Sequence, residues 1–126
     1  MTKRERFLNV LANKPVDRVP VAFFHHFLED WHDFGLGVEN DAVFEKNIEG
    51  HRTACKIFNP DVAKIMNDSL MLMPVEASFV KTASDLRKIE PLSMNSKFAQ
   101  RTLELTKRVC EIYAETGAPV YATSFS

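Results

Sequence analysis

Five side chains able to exchange protons or bind metals crowd into eight positions of the stretch DRVPVAFFHHFLEDWHDFG, which runs from Asp17 to Gly35: His25, His26, Glu29, Asp30 and His32. Imidazoles and carboxylates at that density suit metal ligation, acid/base work, or the polar mouth of a larger pocket. Spacing narrows the choice. His25-x3-Glu29 brings two ligands to one face only if the segment is helical, and no third ligand is fixed, so no metal site is assigned. If the preceding apolar run continues as a strand, His25 and His26 point to opposite faces, and at most one of them enters a common site. His32 and Asp33, beside Trp31, read as a solvated loop. Phe23, Phe24, Phe27 and Trp31 suit core packing first, and the wall of a pocket second.

A second candidate is Asp68, which closes the run KIMND. A carboxylate at a strand end can accept hydrogen bonds from N–H groups or act on a proton. Its ordinary alternative is to cap the turn that follows. Cys55 and Cys110 lack any CxxC or Cys–His spacing and read as small apolar fillers in a reduced compartment.

The elements that must position these groups follow from periodicity and punctuation. TKRE (Thr2 to Glu5) has the form of a capping box, and Phe7, Leu8, Val10 and Leu11 follow with helical clustering up to Pro15. A buried strand is expected from about Val19 to Phe24, with Pro20 near its start. Gly35 and Gly37 mark a loop. A second helix begins near Asp41 and carries Phe44, Ile48, His51, Cys55 and Phe58 at steps of four and three, stopping at Pro60. His51 reads as a satisfied helix histidine. DVAKIMND (Asp61 to Asp68) is the second strand. An extended piece near Phe79 and Val80 precedes a short helix from about Ser84 to Ile89. The third helix carries Phe98, Thr102, Leu105, Val109 and Ile112 and ends at Gly117. APVYATSFS (Ala118 to Ser126) is the third strand.

Strands alternating with long helices indicate βαβ units and a parallel sheet, hence an α/β fold. The net charge is −1, with both signs interspersed and no basic stripe, which argues against a nucleic-acid partner. No apolar run is long enough to span a membrane. The N-terminus is charged throughout and has no signal-peptide core, so a cytoplasmic location is expected. The third strand reaches the last residue with no helix after it. Such a sheet needs completion, either by a second copy of the chain or by further chain.

The pieces taken together resemble the uroporphyrinogen decarboxylase superfamily. RERFLNVLANKPVDRVPV is similar to the family's opening helix and its Lys-Pro-x-Asp-Arg-x-Pro-Val entry to the first strand. NPDVAKIMNDSLMLMPVEAS resembles its second-strand segment, and TASDLRKIEPL with GAPVYATSFS its linker and third strand. The resemblance covers essentially residues 1–126. It implies a (β/α)8 TIM barrel, a fold of roughly 250 residues. This chain would then be its N-terminal portion, a helix plus the first three parallel strands and their helices, forming one incomplete domain.

The family includes the haem-pathway decarboxylase and cobamide-dependent methyltransferases with a zinc site. The resemblance therefore implies zinc and a corrinoid as cofactors of a full-length parent, with neither held by this portion. It implies a small-molecule substrate in the complete barrel. It also implies Asp68 as the catalytic group, matching the family's strand-two Asp, with His25, His26 and Glu29 as substrate-binding residues on the pocket floor. In the true decarboxylases two arginines follow strand one and hold a polycarboxylate. His25 and Glu29 stand at those places here, and Glu29 would repel such a substrate. The expected parent is therefore methyltransferase-like or related, and this portion alone is expected to be inactive. True uroporphyrinogen decarboxylation, or a free-standing α/β homodimeric interaction module, are the alternatives.

Overall fold

The computed structural model describes residues 1–123. Helix α1 spans Lys3–Leu11 and begins on the expected capping box: Thr2 Oγ1 accepts from the Glu5 N–H, and the Glu5 carboxylate accepts from the Thr2 N–H. The apolar cluster that marks this helix in the sequence does not dock it. Leu8, Val10 and Leu11 are exposed, and the buried side chain is Arg6. Its guanidinium donates to both oxygens of Asp17 at 2.7 and 2.8 Å, and to Asp61 Oδ1 at 2.7 Å. Arg18 clamps Asp61 from the other side. A planar fork with five donors can bridge two carboxylates in this way, which a lysine cannot do.

Helix α2 spans Asp41–Phe58 and helix α3 spans Lys97–Ala114. Asn40 caps α2 by accepting from Ala42 and Val43, and Asn59 ends it in the left-handed region at φ 42° before Pro60. Ser96 caps α3 by accepting from Ala99. The two helices run side by side in the same direction. Arg101 pairs with Asp41, Arg108 with Glu45, and Cys55 Sγ meets the Ile112 carbonyl. Between them and the sheet lies a core of Phe44, Ile48, Ala63, Ile65, Leu70, Leu105, Val109 and Tyr113. The predicted stripes locate this core, with Tyr113 joining it where Phe98 and Ile112 are only partly covered.

The sheet is small and parallel. Strand β1 (Ala63–Lys64) pairs with strand β2 (Val120–Tyr121), with Ala63 opposite Val120 and Lys64 opposite Tyr121. A single parallel bridge joins Ala22 to Val62 on the other edge. The expected strand from Val19 to Phe24 is thus reduced to one bridging residue. Pro20 has no N–H to give, and the Val21 N–H goes to the Asp61 carboxylate rather than to a strand. The piece near Phe79 and Val80 is a turn, closed by the Val80 N–H on the Ala77 carbonyl, and not extended. The short helix expected over Ser84 to Ile89 is a 3-10 helix over Ala83–Lys88. The last three residues of the expected third strand, 124–126, lie outside the described residues. The architecture is a helix-rich α/β arrangement with a two-stranded parallel sheet. Among the described residues no helix is long and apolar enough to cross a membrane.

Gly50 sits in mid-helix against the Phe27 ring. A Cβ there would meet Phe27 Cβ and Cγ, with Cδ1 at 2.8 Å. Glycine costs a helix interior about 1 kcal/mol relative to alanine. Gly50→Ala is nevertheless expected to destabilise the chain by about 1–3 kcal/mol in urea unfolding, because overpacking outweighs propensity. Asp61→Asn is expected to cost about 3 kcal/mol by the same measurement, since it leaves the buried Arg6 without half of its counter-charge. The arginines hold the Asp61 carboxyl below its usual range, Arg18 foremost. That contribution is present above the ordinary carboxylate pKa and is lost as pH falls through the depressed one.

Candidate functional site: a buried aspartate beneath a half-exposed histidine

The segment from Ala63 to Asp68 alternates. Ala63 and Ile65 face the helices, which leaves Lys64 and Met66 on the opposite face of the sheet. Residues 22–28 run alongside and alternate too. Phe23 and His25 lie against Phe58 of α2, with ring centroids 4.6 and 5.5 Å away, and Phe27 lies 4.6 Å from His51. Phe24 and His26 take the other side, with Phe24 over the Lys64 ammonium and His26 on Asp68. His25 and His26 therefore diverge, and only His26 reaches Asp68. Asp68 opens a 3-10 helix (Asp68–Leu70) in the loop after β1 and does not, as expected from the sequence, close a strand.

Asp68 is fully buried. Oδ1 lies 2.8 Å from His26 Nδ1, and Oδ2 accepts from the Phe27 N–H at 2.6 Å and the Leu28 N–H at 3.4 Å. These partners are forty or more positions away in sequence. The side chain therefore does not cap its own turn. The Asp68 carbonyl does local work instead, accepting from the Met71 N–H and also from Gly35. Against an ionised Asp68, Nδ1 of His26 is the donor, and a neutral ring then presents the Nε2 lone pair. The His26 side chain is 46% exposed. A buried carboxylate that fixes the tautomer of an accessible imidazole is the arrangement of a general base, or of a general acid once the ring is protonated.

The remaining predicted residues are dispersed. His25 and His26 line an open groove of about 440 Å³ with Glu29, Lys46, Glu49 and Thr53. Glu29 is exposed there and shares the groove with a second carboxylate, Glu49. His32 pairs with Asp30 on the surface at 2.7 Å, within a 3-10 helix over Trp31–Asp33. Core packing does not account for Trp31 or Phe24, which are 72% and 61% exposed. Among the described residues no three His, Cys, Asp or Glu side chains gather around a common point. Cys55 is half-buried and Cys110 exposed, both as free thiols.

Two polar residues of α2 hold the site from behind: Asn47, which sequence reasoning missed, and His51, the satisfied helix histidine. Asn47 donates to the Met66 carbonyl at 2.9 Å and accepts from the Ser69 N–H at 2.9 Å. His51 Nε2 lies 3.1 Å from the Met66 carbonyl and 3.2 Å from the Met66 N–H, within hydrogen-bond reach of both backbone groups. Together they grip the backbone on either side of Asp68, and Arg6 with Arg18 does the same work at Asp61. A sequence signal existed for Asn47. It falls at the same helical spacing as the core residues Phe44, Ile48 and His51, where an apolar residue would be expected.

Burial pushes the His51 imidazole down to about 4 from its ordinary 6.5. Among the described residues its Nδ1 has no hydrogen-bond partner. The unfolded chain therefore binds a proton that the folded chain refuses between those two values. Stability is expected to be full above pH 6.5 and to fall by about 3 kcal/mol as pH drops to 4, as read by chemical denaturation. His51→Gln, which keeps an acceptor for Met66, should flatten that portion of the profile.

No family model, curated protein or solved structure matches the chain.

Proposed function

We propose that this chain is the N-terminal part of a (β/α)8 barrel enzyme of the uroporphyrinogen decarboxylase type, with a cobamide-dependent methyltransferase-like or related parent. One observation carries the reading: a fully buried Asp68, opening a 3-10 helix (Asp68–Leu70) in the loop after β1, lies against the half-exposed His26. In barrels of this class the chemistry gathers where strands end, on the loops that follow them. Both residues occupy such positions, after two neighbouring parallel segments. Parallel α2 and α3, each packed on the same side of the sheet, fit consecutive βα units of such a fold.

In this reading Asp68 positions and His26 handles the proton. The imidazole takes a proton from a substrate thiol or water at Nε2, and the buried carboxylate stabilises the resulting imidazolium. His25 and Glu29 contribute the outer wall of the substrate entrance. Glu29 and Glu49 outnumber Lys46 in that groove, and this balance disfavours a polycarboxylate and so the haem-pathway reaction. Zinc and a corrinoid belong to the parent and are supplied by strands beyond this chain. A cytoplasmic enzyme with a small-molecule substrate completes the proposal.

The test uses the translation product that contains these residues, carried as far downstream as the reading frame runs. Methyl transfer from a methylcorrinoid to a thiol is measured together with zinc content. Asp68→Asn is expected to lower kcat by about 10²-fold or more while leaving zinc content unchanged. Absence of both zinc and methyl transfer in the intact product overturns the methyltransferase reading. Carbon dioxide release from uroporphyrinogen would replace it with the decarboxylase. A stop codon directly after Ser126, with a cooperative dimer on a sizing column, would replace it with the interaction module.

A further inference from the structure

Lys64 closes β1 and is buried, 6% exposed, and among the described residues no carboxylate forms an ion pair with it. Its Nζ lies 4.1 Å from the centroid of the Phe24 ring and 3.5 Å from Met66 Sδ. No ion pair among the described residues includes it, although the two buried carboxylates nearby, Asp61 and Asp68, are both engaged by other donors. Lysines are seldom buried, and an unpaired charge in such a place is costly enough that the group tends to give up its proton. A neutral primary amine in an apolar setting is a nucleophile.

We propose that Lys64 is a carbonyl-binding residue: its amine condenses with a small aldehyde or ketone to form an imine on the same sheet face as the Asp68–His26 pair. The nitrogen lone pair attacks the carbonyl carbon, a C–N bond forms, and the π pair of the carbonyl moves to oxygen. Nitrogen gives up its two protons and oxygen gains them, leaving as water. The amine and the carbonyl compound thus give imine and water, with no oxidant or reductant. His26, whose Nε2 is open, is the group on this face able to carry a proton from nitrogen to oxygen. The exposed Phe24 ring lies directly over the amine, so its displacement opens the approach.

The charge balance around the amine supports this. Burial lowers the Lys64 pKa, and the charge of Asp68 only partly opposes that effect. The other titratable groups around it are His26 on the neighbouring segment, Tyr121 across the ladder, His25 on the wall of a shared cavity of about 10 Å³, and His51 of α2, on which the Lys64 charge bears. The carboxylates nearby, Asp61 and Asp68, are both engaged by other donors.

The experiment is reductive trapping with glycolaldehyde and cyanoborohydride from pH 6 to 10, with labelling at each lysine read by peptide mass spectrometry. At pH 7 Lys64 is expected to label about tenfold faster than the exposed lysines, because more of its amine is in the nucleophilic neutral form. Phe24→Ala should raise that rate further, Lys64→Arg should remove that one label, and urea-unfolded chain should label all lysines evenly. Labelling of Lys64 in the folded chain no faster than at exposed lysines overturns the proposal, as does unchanged or slower labelling in a folded Phe24→Ala variant. The inference does not rest on the barrel reading. A chain that traps aldehyde at Lys64 but transfers no methyl group would retain the one and lose the other.

Discussion

Two carboxylates at the ends of one short segment hold the N-terminal quarter of this chain in place. Asp61 takes the Val21 N–H together with Arg6 and Arg18. Asp68 takes the Phe27 and Leu28 N–H groups together with His26. Between these two anchors only Ala22 makes a strand-like bridge. Carboxylates thus stand in for most of the strand ladder that an apolar run of this kind would ordinarily form. Hydrogen bonds to charged acceptors are about twice as strong as neutral ones, so a few of them can hold a segment that pairing alone would not.

That device has a consequence for chemistry. A ladder would have committed the backbone of residues 26–28 to a neighbouring strand. Ending it in a buried carboxylate instead brings His26 onto Asp68, and the same oxygen pair that fixes the backbone fixes the imidazole. Structural anchoring and proton handling share one group, so Asp68 cannot be altered for one purpose without disturbing the other. The layer behind it is equally polar. Asn47 and His51 project from α2 into the protein interior to hold the Met66 and Ser69 backbone, and His51 remains neutral because its surroundings will not solvate a charge. Gly50, one helical position away, lets Phe27 lie against the helix and so sets the distance between α2 and the anchored segment.

The two long helices were legible because their burial follows a period of 3.6 residues, and Pro60 and Gly117 mark where they stop. The strands were legible in position but not in extent. Local apolar content specifies that a segment is buried or flanks a core. It does not specify whether its N–H groups meet a carbonyl or a carboxylate, because that partner lies forty residues away. The same limit applies to α1, where the apolar residues suggested the docking face and the guanidinium of Arg6 provides it instead.

For the site, residue types and spacing by themselves determined that His25 and His26 diverge, since alternation along an extended backbone is a local property. The expected strand over Asp61 to Asp68 is reduced to Ala63–Lys64, and Asp68 opens a 3-10 helix instead of closing the strand. Which histidine belongs to that aspartate was decided by tertiary structure, through the parallel placement of residues 22–28 beside residues 62–68. So was the burial of Lys64, which depends on Phe24 lying across it from the neighbouring segment. A sequence lists the groups that can carry charge, but solvent access and the distance to an opposite charge set what each does, and both are properties of chains brought together.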